Sequence, residues 1–176
     1  MQTILSPDRK YRYRLYRDAT VWDRSLLPTI APAPVYKDSA LMFIGLNPST
    51  ADEKVDDQTI RICRGYAKTW GYRWLCMTNL FAWRETNATA LFLQPDPIGP
   101  ENDVHLMECA AQAGCIIAAW GSWSTGARVR DVLDLLSNYD IHVLKLNDNG
   151  TPHHPLRMAK VHRPLLWIKA HASAPR

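Results

Sequence analysis

The sequence lacks the common short motifs of nucleotide binding and hydrolase chemistry. It contains no Walker A loop and no G-x-G-x-x-G turn, so nucleotide binding through those loops is not supported. It contains no G-x-S-x-G elbow, which argues against an α/β-hydrolase. No apolar run approaches the roughly 20 residues that a membrane span needs, and the N-terminus lacks the apolar core of a signal peptide. We therefore expect a cytoplasmic protein with no membrane partner.

Cysteine is also scarce, and this limits the possible metal and disulfide sites. The chain has 4 cysteines, and none of them forms a C-x-x-C pair. We therefore expect neither a zinc site nor a disulfide framework. Apolar residues are abundant, at 47% of 176 residues, which is enough for one domain over 1–176 with a sizeable core. The net charge of +4 permits an anionic partner without requiring one.

The stretch 40–50 carries the clearest structural pattern. Its apolar run at 41–44 is typical of a strand buried on both faces. A polar loop follows, in which Pro48 biases Asn47 away from helical dihedral angles. The Asn47 amide is therefore predicted at the carboxyl end of a central strand, where open α/β sheets bind their ligands. A strand followed by an Asn-Pro turn without chemistry is the alternative interpretation.

Strands and helices alternate along the remaining chain. Apolar runs predict strands at 41–44, 74–81, 115–121 and 141–146. Helical spacing predicts helices that begin after Asp56 or Asp57 and end at Gly71, and that cover 101–113, 126–136 and 157–171. This alternation predicts an α/β protein, a three-layer α/β/α sandwich around a central, mostly parallel, four-stranded sheet. The core covers 37–176, and 1–36 adds a basic strand and a proline-containing connector at 27–34.

Polar residues follow the predicted strands and gather at one edge of the sheet. They are Asn47, Asn79, Gly121 and the pair His153/His154. One Asn can orient a water, and a second Asn can recognise a pyrimidine edge because its amide both donates and accepts. A His can donate to a developing anion. Together these groups fit the hydrolysis of an N-glycosidic bond, although a solvated histidine pair in a loop is a common alternative.

Two charged segments allow more than one interpretation. Residues 8–17 alternate Arg with Tyr or Leu, which predicts a strand with one cationic face. That face is either a solvated edge strand or a nucleic-acid surface, because Arg pairs with phosphate and Tyr stacks on bases. The acidic side chains Asp52, Asp56 and Asp57 have the chemistry to hold Mg²⁺, but loop carboxylates are more often helix caps or solvated charges. We therefore expect no metal and no cofactor.

The order of motifs closely resembles a bacterial and phage family known mainly as a domain of unknown function. The resemblance is carried by GLNPSTAD at 45–52, DDQTIR at 56–61, TNLFA at 78–82, DPIG at 96–99, END at 101–103 and HPL at 154–156. More distantly, the chain resembles the uracil-DNA glycosylase superfamily. There, a Gly-Ile-Asn-Pro loop positions water, a later strand ends in the Asn that reads the base, and the last loop begins His-Pro. Leu156 stands where that loop usually has Ser.

This resemblance implies a uracil-DNA glycosylase-like fold and a DNA glycosylase that flips a base out of double-stranded DNA and hydrolyses its N-glycosidic bond. A modified pyrimidine, such as the hydroxymethylated or glycosylated cytosine of phages, is the implied substrate, and its excision would serve phage defence. The expected catalytic residues are Asn47, His154 and Asp52. The expected substrate-binding residues are Gly45, Leu46, Pro48, Ser49, Asn79, Phe81, Trp83, Trp120 and His153. The expected DNA-binding residues are Arg12, Arg14, Arg61, Arg64 and Arg128.

Three alternatives remain open from the sequence. The first is an enzyme that acts on free nucleosides or nucleotides. The second is a nucleic-acid-binding module without catalysis, which would show a steep salt dependence of binding but release no base. The third is a metal-dependent enzyme that uses Asp52, Asp56 and Asp57.

Overall fold

The structure is a computed structural model that describes residues 2–20, 37–123, 126–158 and 163–171. The strands are β1 (Ile4–Leu5), β2 (Arg12–Asp18), β3 (Lys37–Gly45), β4 (Tyr72–Asn79), β5 (Ala113–Ala118), β6 (Ile141–Val143) and β7 (Leu165–Ile168). The helices are α1 (Gln58–Thr69), α2 (Ala88–Leu91), α3 (Asn102–Gln112), α4 (Ala127–Leu135) and a 3₁₀ helix at Pro155–Arg157. The predicted connector at 27–34 lies outside the described residues.

The strands form one mixed sheet in the order β1-β2-β4-β3-β5-β6-β7. The pairings β4–β3, β3–β5 and β5–β6 are parallel, and β1–β2, β2–β4 and β6–β7 are antiparallel. The predicted α/β class is therefore confirmed. The sheet is larger than predicted, with seven strands in the described residues instead of four. No helix within these residues is long and apolar enough to cross a membrane.

Helices cover both faces of the sheet, which explains the continuous apolar run of β3. Met42 packs in one apolar cluster with residues of α3 and α4, whereas Phe43 packs in a second cluster with residues of α1. Successive side chains of a strand point to opposite faces. A central strand with two covered faces must therefore be apolar at every position, as the sequence indicates.

The predicted closing helix at 157–171 is wrong. The 3₁₀ helix ends at Arg157, and Leu165–Ile168 forms the edge strand β7, antiparallel to β6. Residues 159–162 of this prediction lie outside the described residues. Pro164 cannot donate an intrahelical hydrogen bond, and the short run Leu-Leu-Trp-Ile that follows suits a strand because it is brief and apolar.

The predicted single cationic face of the N-terminal strand does not form. β2 lies inside the sheet, between β1 and β4. Arg14 reaches Glu108 of α3 at 2.6 Å, on one side of the sheet. Arg12 is buried on the side of α1, where its Nη1 donates to the carbonyl oxygen of Ala51 at 2.9 Å. Strict alternation would place Arg12 and Arg14 on one face. The register of β1 against β2 is irregular where Leu5 pairs with Arg12 and Ile4 with Arg14, and the two arginines lie on opposite faces.

Candidate functional site

A cavity of about 470 Å³ lies at the carboxyl edge of the parallel strands. Gly45 and Asn79, the paired last residues of β3 and β4, line it. Trp120 comes two residues after β5, and His153 and His154 belong to the loop after β6. The carboxyl ends of neighbouring parallel strands thus meet at one concave surface, where open α/β sheets bind ligands. This cavity is the candidate functional site.

Most of the predicted substrate-binding residues lie together here. Of the predicted substrate-binding residues, the cavity is lined by Gly45, Leu46, Ser49, Asn79, Trp120 and His153. The predicted catalytic residues Asn47 and His154 also line it. Pro48, Phe81 and Trp83 are not part of this lining. Phe81 packs edge-on against Phe92, with ring centroids 5.5 Å apart, and Trp83 packs edge-on against Tyr11 at 5.3 Å. The substrate-binding roles of these three residues stay predictions.

Asn79 has an unusual environment for a buried amide. Its side chain is 1% exposed, and neither Oδ1 nor Nδ2 has a hydrogen-bond partner among the described residues. A buried amide without partners is costly, because its hydration is lost and not replaced. The amide therefore offers one unpaired donor group and one unpaired acceptor at the cavity wall.

The surroundings of Asn79 fix its position. The Asn102 Nδ2 group donates to the backbone carbonyl oxygens of Asn79 and Leu80 at 3.1 and 3.0 Å. On the cavity side, a Cβ atom at Gly45 would lie 2.8 Å from Asn79 Oδ1. Real Cβ atoms do not come so close to an oxygen, so glycine at position 45 makes room for this amide.

The side-chain nitrogen of Asn47, a residue that lines the cavity, donates hydrogen bonds to neighbouring backbone carbonyls. Its Nδ2 donates to the carbonyl oxygen of Glu85 at 2.6 Å, and also to those of Pro48 at 3.1 Å and Trp83 at 3.5 Å. The amide nitrogen is therefore committed to the loop at 83–85. The oxygen Oδ1 is the atom of this side chain that suits acceptance of a hydrogen bond from a water molecule.

The hydrogen bonds of the two histidines define their neutral tautomers. The Leu156 backbone N–H donates to His154 Nδ1 at 3.2 Å, so the proton of neutral His154 resides on Nε2. His153 Nδ1 lies 2.8 Å from the carbonyl oxygen of His154, which requires a proton on His153 Nδ1. Burial lowers the pKa of His154, the neighbouring His153 lowers it further, and the charge of Asp57 opposes the shift. His154 is therefore a neutral N–H donor near pH 7.

We expect His154 to titrate at a lower pH than free histidine. As pH falls, His154 therefore takes up a proton at a higher pH in the unfolded chain than in the folded protein. Neutral His154 therefore contributes stability that is present above its unfolded-state pKa and lost as pH falls through its folded-state pKa. An NMR titration of the imidazole Cε1–H resonance, assigned with His154→Gln, measures this. A midpoint at or above that of free histidine would contradict the buried, neutral assignment.

The predicted catalytic carboxylate Asp52 lies outside the cavity lining. Its carboxylate accepts the backbone N–H groups of Lys54 and Val55 at 2.9 and 3.0 Å. It also lies 3.6 Å from Arg9. These hydrogen bonds hold the pKa of Asp52 below its ordinary value. The catalytic role of Asp52 stays a prediction, and its contacts are those of a loop-stabilising residue.

Asp57 is an acidic residue that lines the cavity. From the sequence, we predicted only a helix-cap or metal-ligand role for it. Its Oδ1 accepts the backbone N–H of Ile60 at 2.9 Å and caps α1. Among the described residues that line the cavity, Asp57 is the only acidic one. The sequence predicted a cap at Asp56 or Asp57, but Asp56 instead pairs with Arg17 at 2.6 Å.

The predicted DNA-binding arginines separate in the structure. Arg14 and Arg128 pair with Glu108 and Asp103 of α3 at 2.6 and 2.5 Å. Arg61 and Arg64 belong to α1, on the opposite side of the sheet. The DNA-binding roles of these four residues stay predictions. Arg12 alone of the five lines the cavity.

The sequence matches a known family over the whole extent of this site. Residues 12–156 match DUF1643, a protein family of unknown function. The chain belongs to the DUF1643 family. Every residue that lines the cavity falls within the matched DUF1643 range. No curated protein and no solved structure matches the chain, and the resemblance to the uracil-DNA glycosylase superfamily stays a prediction.

Two tryptophans line the DUF1643 cavity, and one is buried whereas the other is exposed. Trp120 is 2% exposed and packs edge-on against Trp167, with ring centroids 5.9 Å apart. Trp123 is not among the site residues predicted from the sequence. It is 65% exposed and also lines the cavity. An exposed indole beside a cavity provides a surface on which a planar ligand can stack.

Proposed function

We propose that this protein is a DNA glycosylase that hydrolyses the N-glycosidic bond of a flipped, modified pyrimidine and leaves an abasic site. The observation that carries the proposal is the buried, unpartnered amide of Asn79 at the cavity wall. The edge of a pyrimidine base carries hydrogen-bond acceptors next to a donor. An amide can pair with such an edge because it has both an N–H donor group and a carbonyl acceptor. A base inside a cavity must leave the duplex stack, as in known base-flipping enzymes.

His154 suits the stabilisation of the leaving base. As the bond between C1′ and the base nitrogen breaks, the bonding electrons move onto the base, and negative charge develops on its carbonyl oxygen. The His154 Nε2–H, set by the Leu156 hydrogen bond to Nδ1, can donate to that oxygen. A donor that is already in place gains strength as the charge develops. Because the imidazole is neutral, this role does not require acidic conditions.

Asn47 and Asp57 suit the attacking water. The Asn47 oxygen can orient the water, and the Asp57 carboxylate can accept its proton as the new bond between oxygen and C1′ forms. One Asp57 oxygen is held by the Ile60 N–H, which fixes the carboxylate at the start of α1. The proposed reaction therefore needs only residues that line the cavity.

The arrangement of the sheet also supports the proposal. The parallel strands β4, β3, β5 and β6 bring the Asn47, Asn79 and His154 segments to one edge, with helices on both faces. Neighbouring parallel strands with helices on both faces are one feature of the fold that the resemblance to the uracil-DNA glycosylase superfamily implies. A modified phage cytosine is the substrate class that we propose, and its excision would act in phage defence.

An abasic-site assay tests the proposed function. Purified protein is incubated with duplex DNAs that carry uracil, hydroxymethylcytosine, glucosylated hydroxymethylcytosine or only ordinary bases, and is then treated with alkali. Alkali-dependent breaks on one substrate, lost with Asn47→Ala, are expected. Asn138→Ala, at an exposed position outside the cavity, is the matched control. Intact DNA on every substrate would overturn the proposal.

Asp57→Asn should lower the rate of base release by about 10²–10⁴-fold, the usual contribution of a positioned general base. Asn caps helices about as well as Asp, so the start of α1 should be preserved. Asp52→Asn tests the competing assignment from the sequence, and we expect the smaller effect there. Single-turnover rates on the substrate found above measure both. A larger loss for Asp52→Asn than for Asp57→Asn would contradict the assignment.

An enzyme that acts on free nucleotides is the second candidate function. One observation favours it, because the cavity contains the buried guanidinium of Arg12. A cation inside the cavity suits a ligand that carries its own phosphate. Base release from free nucleotides, without release from DNA, would select this alternative.

A further inference from the structure

Arg12 is a buried cation that forms no salt bridge with the described residues. Its side chain is 2% exposed, and its single hydrogen bond to the described residues runs from Nη1 to the Ala51 carbonyl oxygen at 2.9 Å. Its Nε has no partner in this part of the chain, and no described carboxylate forms a salt bridge with it. Burial lowers the pKa of Arg12 to about 10, so the side chain is still charged near pH 7. An unpaired buried charge is unfavourable unless a ligand completes it.

A second guanidinium increases the positive potential beside Arg12. Arg84 Nη2 donates to the Thr50 carbonyl oxygen at 3.5 Å, one residue from the Ala51 oxygen that Arg12 binds. Arg84 Nε is also buried without a partner among the described residues. Burial is the main cause of the lowered pKa of Arg12; the positive charge of Arg84 adds to this shift, and the negative charges of Asp57 and Asp52 oppose it. Two cations therefore flank the backbone at 50–51 with no salt bridge to a described carboxylate.

The other groups near Arg12 are compatible with an anion. Asp57 is the only acidic residue among the described lining residues, and one of its carboxylate oxygens is already bound by the Ile60 N–H at the N-terminus of α1. The hydroxyl-bearing residues Ser49 and Thr59 also line the cavity. Hydroxyl and guanidinium donors are the groups that commonly bind phosphate oxygens in proteins.

We propose that Arg12 binds a phosphate group of the substrate inside the cavity, while the base of the same nucleotide lies against Asn79. The identity of the base rests on the proposed function, whereas the phosphate site rests on Arg12 and Arg84. A volume of about 470 Å³ is within the range of small-molecule sites, roughly 300–1,000 Å³. The phosphate belongs either to the backbone at a flipped nucleotide or to a free nucleotide.

Inorganic phosphate tests the site without any assumption about the base. The melting temperature of the wild-type protein should rise with phosphate in a saturable manner at constant ionic strength. Arg12→Gln should abolish this rise, and Arg130→Gln, at an exposed position on α4, should preserve it. Absence of the rise in the wild type, or an equal rise in folded Arg12→Gln, would overturn the proposal. If Arg12→Gln does not fold, Arg84→Gln decides, because unchanged phosphate binding there would also overturn it.

Nucleotide binding distinguishes the two sources of phosphate. Deoxycytidine and deoxyuridine are compared with their 5′-monophosphates and with trinucleotides that contain them, by quenching of tryptophan fluorescence. We expect at least one phosphorylated ligand to bind about tenfold or more tightly than its nucleoside, the effect of one charge-assisted hydrogen bond. Arg12→Gln should reduce this ratio to about one. A preference for monophosphates indicates free nucleotides, and a preference for trinucleotides indicates the DNA backbone.

The two proposals can fail separately. If no DNA releases a base but the phosphate preference depends on Arg12, the glycosylase proposal fails and the phosphate site stands. If a DNA substrate releases its base but Arg12→Gln leaves phosphate and nucleotide binding unchanged, the phosphate site fails and the glycosylase proposal stands.

Discussion

Replacing Asn79 with leucine should strongly reduce base release and leave the ligand-free protein at least as stable as the wild type. The Asn79 amide is buried and has no partner among the described residues, so an apolar side chain of similar size removes an unsatisfied group. Such replacements are nearly neutral or stabilising. The same change removes the donor and acceptor proposed to hold the base. We expect base release to fall by about 10²–10³-fold or more, the effect of losing one preorganised hydrogen-bond group.

Asn102→Leu is the matched comparison for this stability measurement. Asn102 is also fully buried, but its Nδ2 donates to the carbonyl oxygens of Asn79 and Leu80. Its loss removes the side-chain donor to the Asn79 carbonyl oxygen and one of the two side-chain donors to the Leu80 carbonyl oxygen, and should cost about 1–3 kcal/mol. Urea unfolding of both variants, together with the abasic-site assay, measures the contrast. If Asn79→Leu destabilises the protein as much as Asn102→Leu does, the Asn79 amide has a partner in the free protein.

Arg128→Met should lower the free energy of unfolding by about 2–4 kcal/mol, because it removes a charged donor from the buried Leu80 carbonyl oxygen and leaves Asp103 without its ion-pair partner. Arg128 is 8% exposed. Its Nε donates to the Leu80 carbonyl oxygen at 2.8 Å, and its Nη2 pairs with Asp103 at 2.5 Å. These bonds connect α4 with the end of β4 and the start of α3. Because Asp103 is about half exposed, solvent screens part of the ion pair, and the expected loss stays below that of a fully buried pair.

Arg130→Met, two residues away at an exposed position of α4, is the control and should change stability by no more than about 0.5 kcal/mol. Chemical denaturation measures both variants, and DNA binding at several salt concentrations measures the alternative role. If Arg128→Met keeps wild-type stability but loses DNA affinity with a smaller salt dependence, Arg128 contacts phosphate as the sequence hypothesis holds.

The sequence predicted the central elements well, because their patterns are local. The continuous apolar run at 41–44 and the helical spacing before Gly71 each correspond to an observed element, β3 and α1. The outer strands were harder to predict. β2 is embedded by pairing with β4, a contact between distant segments that the Arg-Tyr alternation does not encode. The strand β7 is short and exposed, so its four residues carry little period-two pattern.

The candidate site was predicted by position more than by chemistry. Asn47, Asn79 and His154 line one cavity because the carboxyl ends of parallel strands share an edge. Asp52 and Asp57 lie in the same acidic segment, so the sequence does not show which carboxylate faces the cavity. The structure places Asp57 in the cavity lining and Asp52 outside it. The burial of Arg12 depends on packing against that loop. Neither property is visible in residue spacing.

The residues that line the cavity come from segments as far apart in the sequence as Arg12 and Leu156. Contacts between distant segments form late, because long loops must close first. A chain synthesised from its N-terminus has β2 long before it has the histidine loop. The cavity therefore arises only after residue 156 has left the ribosome. Any ligand that fills it contacts both β2 and the histidine loop, and stabilises only a chain in which both segments have folded.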